Sequence, residues 1–421
     1  MEKILFKHLY NFLTDHNIIY KYQSGFQPGD STVNQLLEIY NTIISNLDKG
    51  KDVRFIFCDI SKAFDKVWHK GLLSKLHSYG ICGNVLGWIE NYLSDRQQKV
   101  AIDGFMSNVE TINAGVPQGS VLGPFLLYIN DISEDIVNNI RLFADDTSLY
   151  GFVDNDVISV TKSLISDLEH IDVWSKKWLV EFNPYKTVNI NFSRKNIVYP
   201  CVKFGKNGPD IVQNKSHTHL GVQFQSDAMW TSHILSIYEK ATKRLNILRM
   251  LKYKVTRKTL CKIYLAFIRP VLEYSDVVWD NCSEKDSKLL EDIQVEAARI
   301  ITGLRCNSSR SKLYDELGWD LLKTRRNIHK LILFYKIING YSPQYLYDLI
   351  EPFLPSAHQY NLRTGALQFK IPNIRTTSYM ESFFPSTVKQ WNNLPDYIRN
   401  ASSISSFKNM LKSYFCKLSF W

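Results

Sequence analysis

Two adjacent carboxylates set inside an apolar stretch constrain this chain more than any other feature of it. The run Arg141-Leu142-Phe143-Ala144-Asp145-Asp146-Thr147-Ser148-Leu149-Tyr150 reads as strand, turn and strand. Asp145 and Asp146 stand at the tip, with Leu142, Phe143, Leu149 and Tyr150 buried beneath. Neighbouring anions repel, and an unpaired Asp-Asp at a buried tip is costly. A hard divalent cation such as Mg²⁺ removes that cost, because it takes oxygen ligands and one or two carboxylates commonly hold it. Taken alone, such a pair is more often an ordinary Asx-type surface turn.

A third carboxylate far upstream shifts the balance. Asp59 closes Val53-Arg54-Phe55-Ile56-Phe57-Cys58-Asp59-Ile60, a short β-branched and aromatic run with the signature of a strand buried in a sheet. A carboxylate cannot face an apolar core unpaired, so Asp59 is expected where the strand opens onto a site. Phe64 and Asp65 follow in Ser61-Lys62-Ala63-Phe64-Asp65-Lys66-Val67. Two Asp-bearing elements meeting on one sheet suit the two-metal arrangement for in-line phosphoryl displacement, with ions about 3.5–4 Å apart.

Between these elements lies Ala114-Gly115-Val116-Pro117-Gln118-Gly119-Ser120-Val121-Leu122-Gly123-Pro124. The order Asp59…Phe64-Asp65, then Gly-Val-Pro-Gln-Gly-Ser…Gly-Pro, then Phe143-Ala144-Asp145-Asp146 resembles motifs A, B and C of reverse transcriptases. More narrowly, it resembles those of non-LTR (LINE-type, jockey-like) retrotransposons. The sharp part of the resemblance covers most of residues 1–225 and continues diffusely to the C-terminus.

The resemblance implies an α+β fold, a right-hand polymerase of fingers and palm with an antiparallel palm sheet, followed by a helical thumb and a C-terminal region. It divides the chain into fingers (1–50 and 66–113), palm (51–65 and 114–225), helical thumb and extension (226–340) and C-terminal region (341–421). It implies two Mg²⁺ ions held by Asp59, Asp145 and Asp146, with Mn²⁺ as an alternative ion. Phe64 then matches the steric gate beneath the incoming sugar. Ile60, Gln118, Gly119 and Lys186 line the nucleotide, Lys186 near the leaving pyrophosphate. The implied partners are an RNA template, a DNA primer and dNTPs.

The remaining sequence is read in order. Met1–Leu13 shows helical spacing of Leu5, His8, Leu9, Phe12 and Leu13. A Pro/Gly-punctuated loop, Gln23 to Thr32, ends in a predicted capping box between Thr32 and Gln35. It resembles the family's Ser-Gly-Phe-Arg-Pro-Gly motif, with Gln27 where relatives carry Arg. The preceding fingers strand with its Arg-Pro-Ile-Ser signature has no counterpart, nor does an apurinic-type endonuclease domain, so the reading frame is expected to be truncated. Helices are predicted at His69–Tyr79, with Gly80 as its stop, and at Asn84–Leu93. A hairpin turning at Asp103-Gly104 follows, with Arg96 and Lys99 beside it. A helix at 156–178 carries Leu164, Leu168, Ile171, Trp174 and Trp178 on its core face.

His217-Thr218-His219-Leu220-Gly221-Val222 resembles the family's primer grip, in which Gly221 lets backbone approach the primer closely. The two histidines lack a third ligand for a metal. From Lys240 to Lys258 there are eight basic residues and no acidic one, Lys240, Lys243, Arg244 and Arg249 among them. Such a run is where a thumb would track a nucleic-acid backbone. Further helices are expected at Leu260–Val278, Ser287–Leu304 and Lys323–Asn339. After a Pro-rich break comes a tail ending in Trp391-Asn392-Asn393-Leu394-Pro395, whose default role is packing.

Composition agrees with this picture. The 421 residues carry a formal charge of +10, which favours a polyanionic partner such as nucleic acid. Seven cysteines form no C-x-x-C pair, which fits a reducing compartment and argues against a zinc ribbon. No signal peptide or membrane-length apolar run is present, so an intracellular protein of cytoplasm and nucleus, without membrane partners, is expected. Two other classes compete: an inactive element remnant that only binds RNA, and a different two-metal phosphohydrolase, for which motif B and Phe64 have no purpose.

Overall fold

The computed structural model describes residues 2–117, 119–122, 128–195, 197–206, 208–305, 307–352 and 368–418, side chains to residue 415. The chain forms two compact units. One comprises Met1–Ser31, Asp52–Asn191 and Lys195–Lys215; the other comprises Thr32–Lys51, Phe192–Arg194 and Ser216–Trp421. The protein is α+β.

The first unit is built on a five-stranded sheet in the order Asn139–Phe143, Asp146–Val153, Asp52–Cys58, Val188–Phe192, Val212–Gln213. Asp52–Cys58 runs antiparallel to Asp146–Val153, placing Cys58 opposite Thr147 and Asp52 opposite Val153. All seven residues of Asp52–Cys58 are buried, as its β-branched and aromatic composition requires. Alternation sorts them: Ile56 and Cys58 join the core under the Val157–Trp178 helix, whose Leu164, Leu168 and Ile171 are fully buried. Phe55 stacks on Tyr150 with centroids 4.4 Å apart. Asp156 caps that helix by accepting from the N–H groups of Ile158 and Ser159.

The sheet is not wholly antiparallel. Its edge strand Val212–Gln213 runs parallel to Val188–Phe192, because the excursion through residues 193–211 is long enough for a crossover. The 99–112 hairpin turns at Asp103 and Gly104, both at positive φ (50° and 86°), the geometry of a two-residue hairpin loop. Gly80 ends the His69–Ser78 helix at φ 89°.

The second unit is largely helical, with a small hairpin of Ser216–His219 and Val222–Gln225. Thr32 is the first residue of the Thr32–Asp48 helix, and no capping box forms. Its hydroxyl accepts from Tyr274, and Gln35 is buried with its amide unbonded. The expected continuous helix over 260–278 is broken into Arg257–Ile263, a π-helical turn Tyr264–Ile268, Arg269–Glu273 and Asp276–Trp279. Pro270 lacks the N–H for the regular ladder, and the wider turn absorbs that loss. Near the tail, Trp391 packs on Phe334 (5.3 Å) and Phe407 (5.7 Å). Asn392 accepts from the Phe369 N–H and donates to its carbonyl, so the Trp-Asn-Asn-Leu-Pro segment serves packing. No helix among the described residues is long and apolar enough to cross a membrane.

Candidate active site

Asp59 lies one residue beyond its strand and is half-buried between the buried Cys58 and Ile60. Its backbone is held on both sides by one segment: the Asp59 N–H donates to Thr187 Oγ1 (3.4 Å), and the Asn183 N–H donates to the Asp59 carbonyl (2.8 Å). Ile60 bridges to Phe182, and the Ser61 N–H donates to the Glu181 carbonyl (2.8 Å). Asn183 Oδ1 accepts from the N–H groups of Tyr185 and Lys186, an Asx turn that lifts Lys186 toward the site. Lys186 Nζ lies 3.9 Å from Asp59 Oδ2.

The other two carboxylates come from the hairpin. Phe143 pairs with Asp146, so the loop is Ala144-Asp145 and Asp146 opens the second strand. Ala144 takes φ 55°, an uncommon conformation for a residue with a Cβ. Gln23 braces it: its Oε1 accepts from the Ala144 N–H (2.9 Å) and the Gly25 N–H (2.8 Å), and its Nε2 donates to the Ala144 carbonyl (3.3 Å). The Ser24 N–H donates to the Leu142 carbonyl and the Leu142 N–H to the Tyr22 carbonyl. At Gly25 a Cβ would stand 2.0 Å from Ala144 N, so only glycine lets the loop lie this close.

Both hairpin carboxyls are perturbed by their neighbours. The Asp145 carboxyl is raised above its ordinary range, first by burial and then by Asp59. Asp146 is exposed as a residue, yet its carboxyl is pushed up to about 6, first by desolvation against neighbouring protein, then by Asp145 and Asp59. Among the described residues, no three His, Cys, Asp or Glu side chains are gathered closely enough to enclose an ion. The donor set nevertheless fits a hard divalent cation: it is all oxygen, it is mutually repulsive, and added positive charge relieves it.

Beside the carboxylates lies a pocket of about 70 Å³ lined by Gln23, Phe26, Ile60, Phe64, Val116, Tyr128, Asn130, Ala144 and Asp145 among others. Ile60 is buried; Phe64 is half-buried and meets Phe26 edge-on at 6.3 Å. The stretch Gly115-Val116 is tied to the Phe64 turn by N–H donation from Val116 to the Phe64 carbonyl and from Gly115 to the Val67 carbonyl, each 2.8 Å. Gly115 has φ 89°, and a Cβ there would lie 2.7 Å from the Asp65 carbonyl oxygen. Gly119 is exposed at φ 82° with open space about it. Gln118 lies outside the described residues, as do Gly123 and Pro124 of the same motif.

The structure thus brings Asp59, Asp145, Asp146 and Lys186 into electrostatic range and sets Ile60 and Phe64 in the adjoining pocket. Gly221, Lys240, Lys243, Arg244 and Arg249 belong to the second unit. Gly221 (φ 81°) forms a hairpin tip with Leu220, and the space where its Cβ would be is bounded by Tyr274 at 3.0 Å. Lys240 and Lys243 are exposed on the Thr231–Leu251 helix. Arg244 stacks over Phe267 (4.4 Å), and Arg249 is paired with Glu296 (3.2 Å).

Residues that sequence reasoning missed are Gln23, Phe26, Tyr128 and Asn130. Asn130 Oδ1 accepts from the Tyr20 N–H and its Nδ2 donates to the Ile18 carbonyl, each 2.8 Å. Only Gln23 and Phe26 carried a signal, as members of a Gly-punctuated loop. The tryptophan stripe packs against the core as expected, Trp174 and Trp178 each against a buried apolar cluster, and it has a second role. Trp174 and Trp178, with Tyr128, surround the buried ammonium of Lys75 at 4.7, 3.9 and 5.0 Å, and Asp131 pairs with it.

Comparison with known proteins agrees with the motif order. The family described as "Reverse transcriptase (RNA-dependent DNA polymerase)" matches residues 1–224, and the chain belongs to that family. Its relatives include the probable RNA-directed DNA polymerase from transposon BS of Drosophila melanogaster, 26% identical over 72% of this chain and 34% of that protein. The polymerase from mobile element jockey of Drosophila funebris is 29% identical over 67% of this chain and 32% of that protein. That of the X-element of Drosophila melanogaster is 26% identical over 83% and 38%. The chain therefore spans about a third of the length of these relatives. Among solved structures it is similar to apo telomerase from Candida Tropicalis, at 14% identity and a TM-score of 0.43 over 75% of this chain and 51% of that one.

Proposed function

We propose that this chain is the polymerising part of a non-LTR retrotransposon reverse transcriptase, adding deoxynucleotides to a primer 3′-hydroxyl on an RNA template. The observation that carries the reading is the meeting of Asp59 with the Asp145–Asp146 hairpin beside a pocket containing Phe64. In this reading the palm comprises 51–65 and 114–225, the fingers 1–50 and 66–113, the helical thumb and extension 226–340, with a C-terminal region beyond.

Asp59, Asp145 and Asp146 would hold two Mg²⁺. The chemistry such ions would supply there is acidification of the primer hydroxyl and neutralisation of charge on the triphosphate and pyrophosphate. The chain's own groups do the rest. Gln23 fixes the hairpin tip, so the carboxylates need no reorganisation as substrate arrives. Lys186 offers its ammonium to the departing phosphate charge. The Phe64 ring fills the space a 2′-hydroxyl would need, so selection rests on a clash as much as on attraction. By the family resemblance Gln118 and Gly119 would line the nascent base pair, and the exposed Lys240 and Lys243 would contact backbone phosphates, with Gly221 near the primer. Template sequence is read by base pairing.

Extension of oligo-dT on poly(rA) by the purified chain with Mg²⁺ tests the proposal. dTMP addition by the wild type, lost in Asp145→Ala, is expected. A wild type with no addition despite binding the primed template would leave only nucleic-acid binding.

A further inference from the structure

In the helical unit a groove of about 650 Å³ is lined from the segments Arg269–Glu273, Leu322–Ile338 and Ile404–Leu418. Arg269, Arg325, Lys408 and Lys412 line it, with His329 and the amide of Asn409. Lys408 and Lys412 are exposed one turn apart on the last helix, which sets their Cβ atoms about 5–6 Å apart. Neither has a carboxylate partner among the described residues.

The acids nearby do not balance these cations. Glu273 accepts from Arg325, with Nη2 at 3.1 Å, and stands 3.8 Å from Arg269 Nε. Asp276 is bonded to His329 Nδ1 at 2.6 Å. Asp320 is the one carboxylate among the lining residues. Four cations therefore share two carboxylates, Glu273 paired with the two arginines and Asp320, which leaves Lys408 and Lys412 without one. Like charges drawn into one groove repel and destabilise the fold unless something anionic repays the arrangement.

We infer that this groove binds the phosphate backbone of a nucleic-acid strand. The two free lysines act as movable point charges on phosphate oxygens. Asn409 adds an uncharged donor to the lining, and among the described residues no Phe, Tyr or Trp lines the groove to stack on bases. The contact is sequence-independent and salt-sensitive. It lies beyond the residues matched by the polymerase family, so it stands or falls separately from the catalytic reading.

The test is fluorescence anisotropy of the full chain with a short labelled single-stranded RNA, and with DNA of the same sequence, across roughly 50–200 mM salt. Lys408→Gln/Lys412→Gln should flatten the slope of log affinity against log salt by about 1.4, two phosphate contacts at about 0.7 each. Its melting temperature and its primer extension per bound template should stay unchanged. Lys285→Gln/Lys288→Gln removes the same charge from another exposed helix and should leave the slope alone. RNA and DNA arms that respond alike mark backbone recognition; loss confined to RNA marks a contact to the 2′-hydroxyl as well. An unchanged slope, or an equal change in the control pair, overturns the inference.

Discussion

At Phe64 packing and the proposed sugar selection fall on one side chain. The ring is half-buried, sits edge-on to Phe26 and shares its turn with the backbone that anchors Gly115 and Val116. Phe64→Ala is expected to admit ribonucleotides while retaining deoxynucleotide addition, because a metal-held triphosphate leaves the ribose no other escape from the clash. Single-nucleotide extension with dNTP and rNTP, beside a melting curve, checks this. Unchanged sugar preference with a fall of about 3–5 kcal/mol in stability makes Phe64 a core residue only. Asp146 sets the pH response. Its carboxyl is raised from 3.8 to about 6, so the folded state holds this proton more tightly than the unfolded state. Stability from this group is therefore lost as pH rises through that window. Melting curves against pH should show Mg²⁺ stabilising the wild type increasingly above pH 6, with the trend flattened in Asp146→Asn. The three aspartates were legible because their motifs are local in sequence. The Lys75 cage was not, since its aromatic walls come from residues fifty and a hundred positions away and spacing on one helix cannot reveal a partner on another. Breaking the buried Lys75–Asp131 pair by Lys75→Ala should cost about 3–5 kcal/mol by leaving the carboxylate uncompensated.

At the scale of elements the hairpin is held by its strand pairing and its tip is braced by the Gln23 loop. Gln23→Ala removes the acceptor of the Ala144 N–H. The expected cost is about 1–3 kcal/mol for the unsatisfied group, together with a fall in kcat on the order of a hundredfold from a tip displaced by about 1 Å. Steady-state extension separates this from a substrate-binding defect, which would move KM alone. Strand and helix positions read correctly wherever hydrophobic period and turn chemistry agreed, as at Asp52–Cys58, Val157–Trp178 and the Asp103-Gly104 turn. Reading failed where a distant side chain intervened: Tyr274 takes the Thr32 hydroxyl that a capping box would use. It failed again where one residue interrupts a good pattern, as Pro270 does. The parallel edge strand Val212–Gln213 is two residues long, too short to carry a period.

Across the whole molecule, a net charge of +10 is distributed unevenly in effect. The basic run at 240–258 reads as one stripe, but Arg249 and Arg257 are already paired with Glu296 and Glu316, and only part of it is free for phosphates. Lys240→Gln/Lys243→Gln should therefore flatten the salt dependence of RNA/DNA-hybrid binding by roughly 0.7–0.9 per contact, whereas Arg249→Gln should change it little. Sequence could count these charges but not their partners, which lie on other helices. The central claim is that Asp59, Asp145 and Asp146 form one centre for nucleotidyl transfer. The most direct measurement is single-turnover extension of a primed RNA template in Mg²⁺ by the wild type and by Asp59→Asn, Asp145→Asn and Asp146→Asn, at equal template occupancy. Loss of several kcal/mol of transition-state stabilisation predicts a drop on the order of a thousandfold for Asp59→Asn and Asp145→Asn, with a clear but smaller drop for Asp146→Asn. Wild-type rates in Asp59→Asn or Asp145→Asn would contradict it.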